Sequence, residues 1–85
     1  MTKKWYQRED EKVMKITGAG SIVLWLEPHY TTQIAKYKGE YYLIYPLFKH
    51  YKSCRKISYE DAKEIIQKCN MMKEAIRIGL IPPEE

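Results

Sequence analysis

Residues 41–78, YYLIYPLFKHYKSCRKISYEDAKEIIQKCNMMKEAIRI, hold an aromatic strand, a basic connector and the longest amphipathic pattern in the chain. Ser58 stands where an N-cap hydroxyl would accept from an orphan backbone N–H, and Glu60 with Asp61 puts negative charge in the first turn, where the helix dipole favours it. Ala62, Ile65, Ile66, Cys69, Met72 and Ile76 recur at three- and four-residue spacing, which lines one helical face. Lys63, Glu64, Lys68, Lys73 and Arg77 fall on the opposite, solvated face. Gly79 can take the left-handed position that ends a helix, and Pro82 and Pro83 cannot continue one. The spacing therefore predicts one long helix from Tyr59 to Ile78, with residues 80–85 as a tail outside the fold.

Upstream, the chain reads as the sheet this helix would cover. KVMKIT (12–17) alternates loosely, and GAGS (18–21) is a turn signal. SIVLWLE (21–27) places Ile22, Leu24 and Leu26 on one face and Val23 and Trp25 on the other, so both faces are apolar and the strand is expected to be central. Pro28 and His29 break it, and YTTQIAKYK (30–38) resumes in strand-favouring types. Lys38-Gly39 is a two-residue hairpin turn, which pairs Tyr37 with Glu40, Lys36 with Tyr41, Ala35 with Tyr42, Ile34 with Leu43 and Gln33 with Ile44. Pro46 donates no ladder hydrogen bond, so its strand lies at the edge or ends there. Residues 1–11 read as a mobile arm or short lead-in strand.

The expected fold is thus α+β: a four-stranded antiparallel β-meander with one long C-terminal helix packed on one face. One helix covers one side of a sheet. The other side is expected to be closed by the N-terminal arm, by a second copy or by a bound partner.

Eighty-five residues are enough for one small domain and one core. No apolar run reaches the roughly 20 residues of a membrane span, and MTKKWYQREDEK lacks a signal-peptide segment, so a cytoplasmic protein with no membrane partner is expected. Cys54 and Cys69 make neither a disulfide framework nor a zinc site; reduced thiols are expected, with a single bridge between them left open. The net charge of +4 leans towards an acidic partner. Eight tyrosines and two tryptophans against one phenylalanine suit half-exposed surfaces and interfaces better than a dry core.

Two candidate surfaces emerge. The connector KHYKSCRK supplies Lys49, His50, Tyr51, Lys52, Arg55 and Lys56 without an acid, just ahead of a helix N-terminus, a combination suited to phosphate and to stacking on unpaired bases. The sheet face carrying Trp25, Tyr41, Leu43 and Tyr45 is the second candidate, as a stacking platform or protein interface. His29 and His50 match no metal spacing, Cys54 has no resolving cysteine or partner base, and Gly18 and Gly20 lack the lysine of a phosphate loop. No catalytic residue, metal, cofactor or small-molecule substrate is therefore expected. In composition alone, the KGEYY hairpin followed by ISYEDA resembles small phage, archaeal-virus and other mobile-element proteins, which implies no particular activity. The expected function is non-catalytic binding of nucleic acid or a nucleic-acid complex. The rival is a protein-interaction module, either a homodimer or an inhibitor of a partner protein.

Overall fold

The computed structural model of the chain describes residues 4–27 and 31–83. Helix α1 (Trp5–Ile16) is followed by strands β1 (Ile22–Trp25), β2 (Gln33–Tyr37), β3 (Glu40–Pro46) and β4 (Lys52–Ile57), then by helices α2 (Tyr59–Lys68) and α3 (Met72–Arg77). The strands form one antiparallel sheet in the order β1-β2-β3-β4. An α+β protein with a meander sheet is thus what forms. The membership of that sheet and the placing of its helices differ from the expectation.

The central hairpin follows from its turn. Lys38 and Gly39 both have positive φ, 51° and 80°, as a twist-matched two-residue turn requires. The pairs Tyr37 with Glu40 through Gln33 with Ile44 then fall in the expected register. Strand β1 pairs only with β2, so it is an edge strand, although both its faces are apolar. The fourth strand is β4, drawn from the connector, and Pro46 ends β3 opposite Lys52. His29 and its neighbours 28–30 lie outside the described residues.

Residues 12–17 supply no strand, because residues 5–16 form α1. No glycine or proline interrupts the chain before Gly18, and the Gln7 side-chain carbonyl accepts from the Lys4 backbone N–H at 2.9 Å to close the first turn. At the other end the Thr17 hydroxyl donates to the Val13 carbonyl at 2.8 Å. Val13 and Ile16 bury themselves against Ala35 and Ile44, with Val23, Tyr37, Tyr42 and Cys54 around them. The inward stripe is short because Glu9 and Asp10 interrupt it. Those two carboxylates bond to β4 instead: Asp10 accepts from the Lys52 backbone N–H at 3.1 Å, and Glu9 accepts from the Ser53 hydroxyl at 3.2 Å. Helix α1 accordingly approaches β4 more closely than any other strand.

The other face carries α2 and α3, which are separate helices and not one rod. Ser58 caps α2 as expected, accepting from the Asp61 N–H at 3.0 Å. Asn70 then takes a left-handed conformation, φ 57°. The Asn70 N–H donates to the Gln67 carbonyl and the Met71 N–H to the Ile66 carbonyl, both at 3.0 Å, which is the paired bonding of a Schellman stop. Gly79, φ 86°, ends α3 in the same way through Gly79 to Ile76 and Leu80 to Ala75. The chain turned by this second stop re-enters the core: Leu80 and Ile81 are buried, where a tail was expected. They join Leu24, Leu26, Ile34, Tyr41, Ala62, Ile66 and Ala75.

The sheet is therefore packed on both sides within one chain, α1 on one face and α2 with α3 on the other. Of the three expected ways of closing the second face, it is the N-terminal residues that supply the layer, as a helix. Cys54 lies in the α1 cluster and Cys69 in the α2–α3 cluster, on opposite sides of the sheet, and both thiols are free.

Candidate functional site

The most distinctive surface lies at one end of the sheet, where the β3–β4 loop meets the start of α1. Leu47 donates to the Tyr51 carbonyl at 2.9 Å and Tyr51 to the Phe48 carbonyl at 3.0 Å, closing a tight loop in which Lys49 has φ 54°. That geometry turns Phe48, Lys49 and His50 outward. Tyr6 of α1 inserts against the loop, its ring centroid 4.8 Å from Phe48 and 4.7 Å from Tyr51. Trp5 meets Tyr6 edge-on at 5.9 Å, and His50 stacks on Tyr51 at 4.6 Å. Five rings are thus joined from residues far apart in the chain. Tyr6 and Tyr51 are half-buried and act as the base of the group; Trp5, 62% exposed, and Phe48, 42% exposed, form its outer surface.

The same side of the sheet extends this surface. Trp25, aligned with Gln33, Ile44 and Cys54, is 49% exposed on the face that α1 covers only in part. Lys52 bridges the two groups, its ammonium 5.0 Å from the Trp25 ring centre. A cation over an indole face is held by the ring quadrupole. Lys49 and His50 in the loop, and Lys4 and Arg8 beside Trp5 in the chain, are exposed as well. Two of the nearest acids, Glu9 and Asp10, are committed to β4.

The expected basic patch is only partly assembled. Lys49, His50, Tyr51 and Lys52 meet at this corner. Arg55 and Lys56 do not: alternation turns Arg55 to the other face of the sheet, and Lys56, on the same face as Lys52, lies at the far end of β4, where it pairs with Glu40 at 3.1 Å. The basic loop is also not at the N-terminus of α2, where it was expected: the whole of β4, about 20 Å of extended chain, separates the two. The expected sheet-face set divides as well. Tyr41 is a core residue whose hydroxyl donates to the Leu80 carbonyl at 3.0 Å. Trp25 faces away from Tyr41, Leu43 and Tyr45. Leu43 and Tyr45 instead line a shallow pocket of about 270 Å³ with Arg55.

Sequence reasoning missed Trp5, Tyr6 and Phe48. Their signal was present in Trp5-Tyr6 at the head of an unbroken stretch of helix formers, but nothing local shows that they meet a loop some 42 residues on. Burial pushes the Cys54 thiol above its ordinary value, with the Glu9 charge adding to the effect and Lys12 opposing it, so this is a less reactive cysteine. Among the described residues no group of three or more His, Cys, Asp or Glu side chains is placed to hold a metal ion, and no helix is long and apolar enough to cross a membrane. Comparison with protein-family models, with curated proteins and with solved structures finds no match to this chain.

Proposed function

We propose that this is a non-catalytic protein that binds single-stranded nucleic acid on the corner formed by Trp5, Phe48, His50 and Lys49, extended by Lys52 and Trp25. The observation that carries this reading is the pair of outward aromatic rings, Trp5 packed on Tyr6 and Phe48 packed on Tyr6 and Tyr51, beside the exposed Lys49. Rings of this kind stack on unpaired bases, while lysine and arginine take the phosphates. A duplex presents no free base faces, so single strands are the better fit.

The test is a titration of short single- and double-stranded oligonucleotides at two salt concentrations, read by quenching of Trp5 and Trp25. Three or four phosphate contacts give a log–log salt slope of about −2 to −3 on a single strand. Each of Trp5→Ala and Phe48→Ala should weaken binding by roughly 5- to 150-fold, from the ~1–3 kcal/mol of one base stack. Binding that is flat with salt, or unchanged in both variants, refutes the assignment.

A second reading is favoured by the Leu43, Tyr45 and Arg55 pocket on the opposite face. An arginine beside an aromatic and an aliphatic wall is a common anchor composition for a protein partner. No oligonucleotide binding at low salt, with a partner lost on Arg55→Glu, would move the function to this surface.

A further inference from the structure

The two edges of the sheet are treated very differently. Strand β4, KSCRKI, carries Lys52, Arg55 and Lys56, and α1 lies along it with Asp10 taking the Lys52 N–H. These are familiar protections of a sheet edge. Strand β1, IVLW, has no charge and no proline, and no described strand pairs with its outer side.

The hydrogen-bond phase of that edge can be worked out. The Leu26 N–H donates to the Thr32 carbonyl at 3.0 Å, so Leu26, Leu24 and Ile22 direct their backbone groups towards β2. By the alternation of an antiparallel ladder, Ser21, Val23, Trp25 and Glu27 direct theirs outward. The outermost N–H groups are engaged within the chain, Ser21 with the Gly18 carbonyl at 3.1 Å and Glu27 with the Met71 sulfur at 3.2 Å. Among the described residues, Val23 and Trp25 remain.

We infer that β1 is a homodimerisation edge that pairs antiparallel with β1 of a second copy, on a two-fold axis through Leu24. This register sets Val23 opposite Trp25 of the second copy and the reverse, giving two hydrogen-bonded pairs and four backbone bonds. Displaced registers centred on Val23 or Trp25 would direct bonds to the Ser21 or Glu27 N–H groups, which are already taken. The self-pairing also places a β-branched side chain against an indole across the strands, a favourable cross-strand pair, and covers part of exposed Trp25. An uncharged edge offers nothing to select an acidic or basic peptide, whereas its own sequence satisfies both unmatched residues. The sheet becomes eight-stranded and continuous, and closed two-fold symmetry ends the assembly there. Both copies carry +4, so their repulsion is relieved by salt and the dimer tightens as salt rises.

The inference shares Trp25 with the proposed nucleic-acid surface but does not rest on that reading, and its test contains no nucleic acid. Light scattering from micromolar to millimolar protein should show the mass rising from 10.2 kDa to twice that value. Hydrogen exchange by NMR over the same range should show the Val23 and Trp25 amides slowing at least tenfold, while the Leu24 and Leu26 amides are protected at every concentration. Val23→Pro removes one outward N–H at an edge position where proline is tolerated, and should return the folded protein to the monomer mass. A monomer mass at millimolar concentration overturns the inference. So does a dimer whose Val23 and Trp25 amides exchange as fast as in dilute solution, whatever the proline variant does.

Discussion

Replacing Asn70 by alanine asks why the helical pattern from Tyr59 to Ile78 does not form one rod. A straight helix over that stretch is about 30 Å long, whereas β3, the longest strand with seven residues, spans about 24 Å. The rod would overhang the sheet. In the protein the helix stops at Asn70 and a separate helix, α3, starts at Met72. Alanine favours the continuous helix by roughly 0.6 kcal/mol of propensity, and it resists the left-handed conformation by about 1–2 kcal/mol. Against this, straightening pulls Leu80 and Ile81, both essentially inaccessible, out of the core at about 1.5–3 kcal/mol each. Docking wins. Asn70→Ala should therefore keep its break and be destabilised by about 1 kcal/mol, allowing for the smaller strain that asparagine itself carries. For a chain of this size that lowers Tm by about 4–8 °C. Circular dichroism should show the lower midpoint with unchanged helical signal at the start of the melt. Asn70→Gly, which takes the left-handed conformation without strain, should keep the wild-type midpoint within a few degrees. A rise in helical signal together with equal or greater stability in Asn70→Ala would show that Asn70 alone sets the break, and the packing argument would fail.

Two other outcomes follow from the packing of α1. Asp10→Ala leaves the Lys52 N–H without its acceptor and should cost about 1–2 kcal/mol, with the Lys52 amide exchanging faster than in wild type; an unchanged amide would mean that α1 does not seal the β4 edge. Because the buried Cys54 thiol has a raised pKa, the folded state holds its proton more tightly than the unfolded chain does. Its contribution to stability is whole below its ordinary value of 9.0 and falls as pH rises above it. Between pH 8 and 10 the denaturation midpoint of wild type should fall more than that of Cys54→Ala, and parallel curves would contradict the assigned burial.

The site was legible only in pieces. Lys49, His50, Tyr51 and Lys52 stand together in the chain and stay together in the fold, since a tight loop keeps neighbours close. Arg55 and Lys56 are equally near in sequence but leave the group, Arg55 because extended chain turns it to the opposite face and Lys56 because four residues of strand carry it along the same face to Glu40. Trp5 and Tyr6 join it from the far end of the chain, and no local pattern specifies such a contact.

What the sequence by itself determined are the features whose energy is local: the Lys38-Gly39 turn and the register it imposes, the Ser58 cap and the Gly79 stop. Each rests on dihedral preferences or hydrogen bonds within a few residues. Only the tertiary structure decided that residues 5–16 are a helix, that KSCRKI is a strand and that the C-terminal helix breaks. Glu9 and Asp10 spoil the apolar stripe of α1 until their partners on β4, more than forty residues away, are in place. The periodic pattern through Asn70 runs unbroken until the length of the sheet and the burial of Leu80 and Ile81 make two short helices better than one long one.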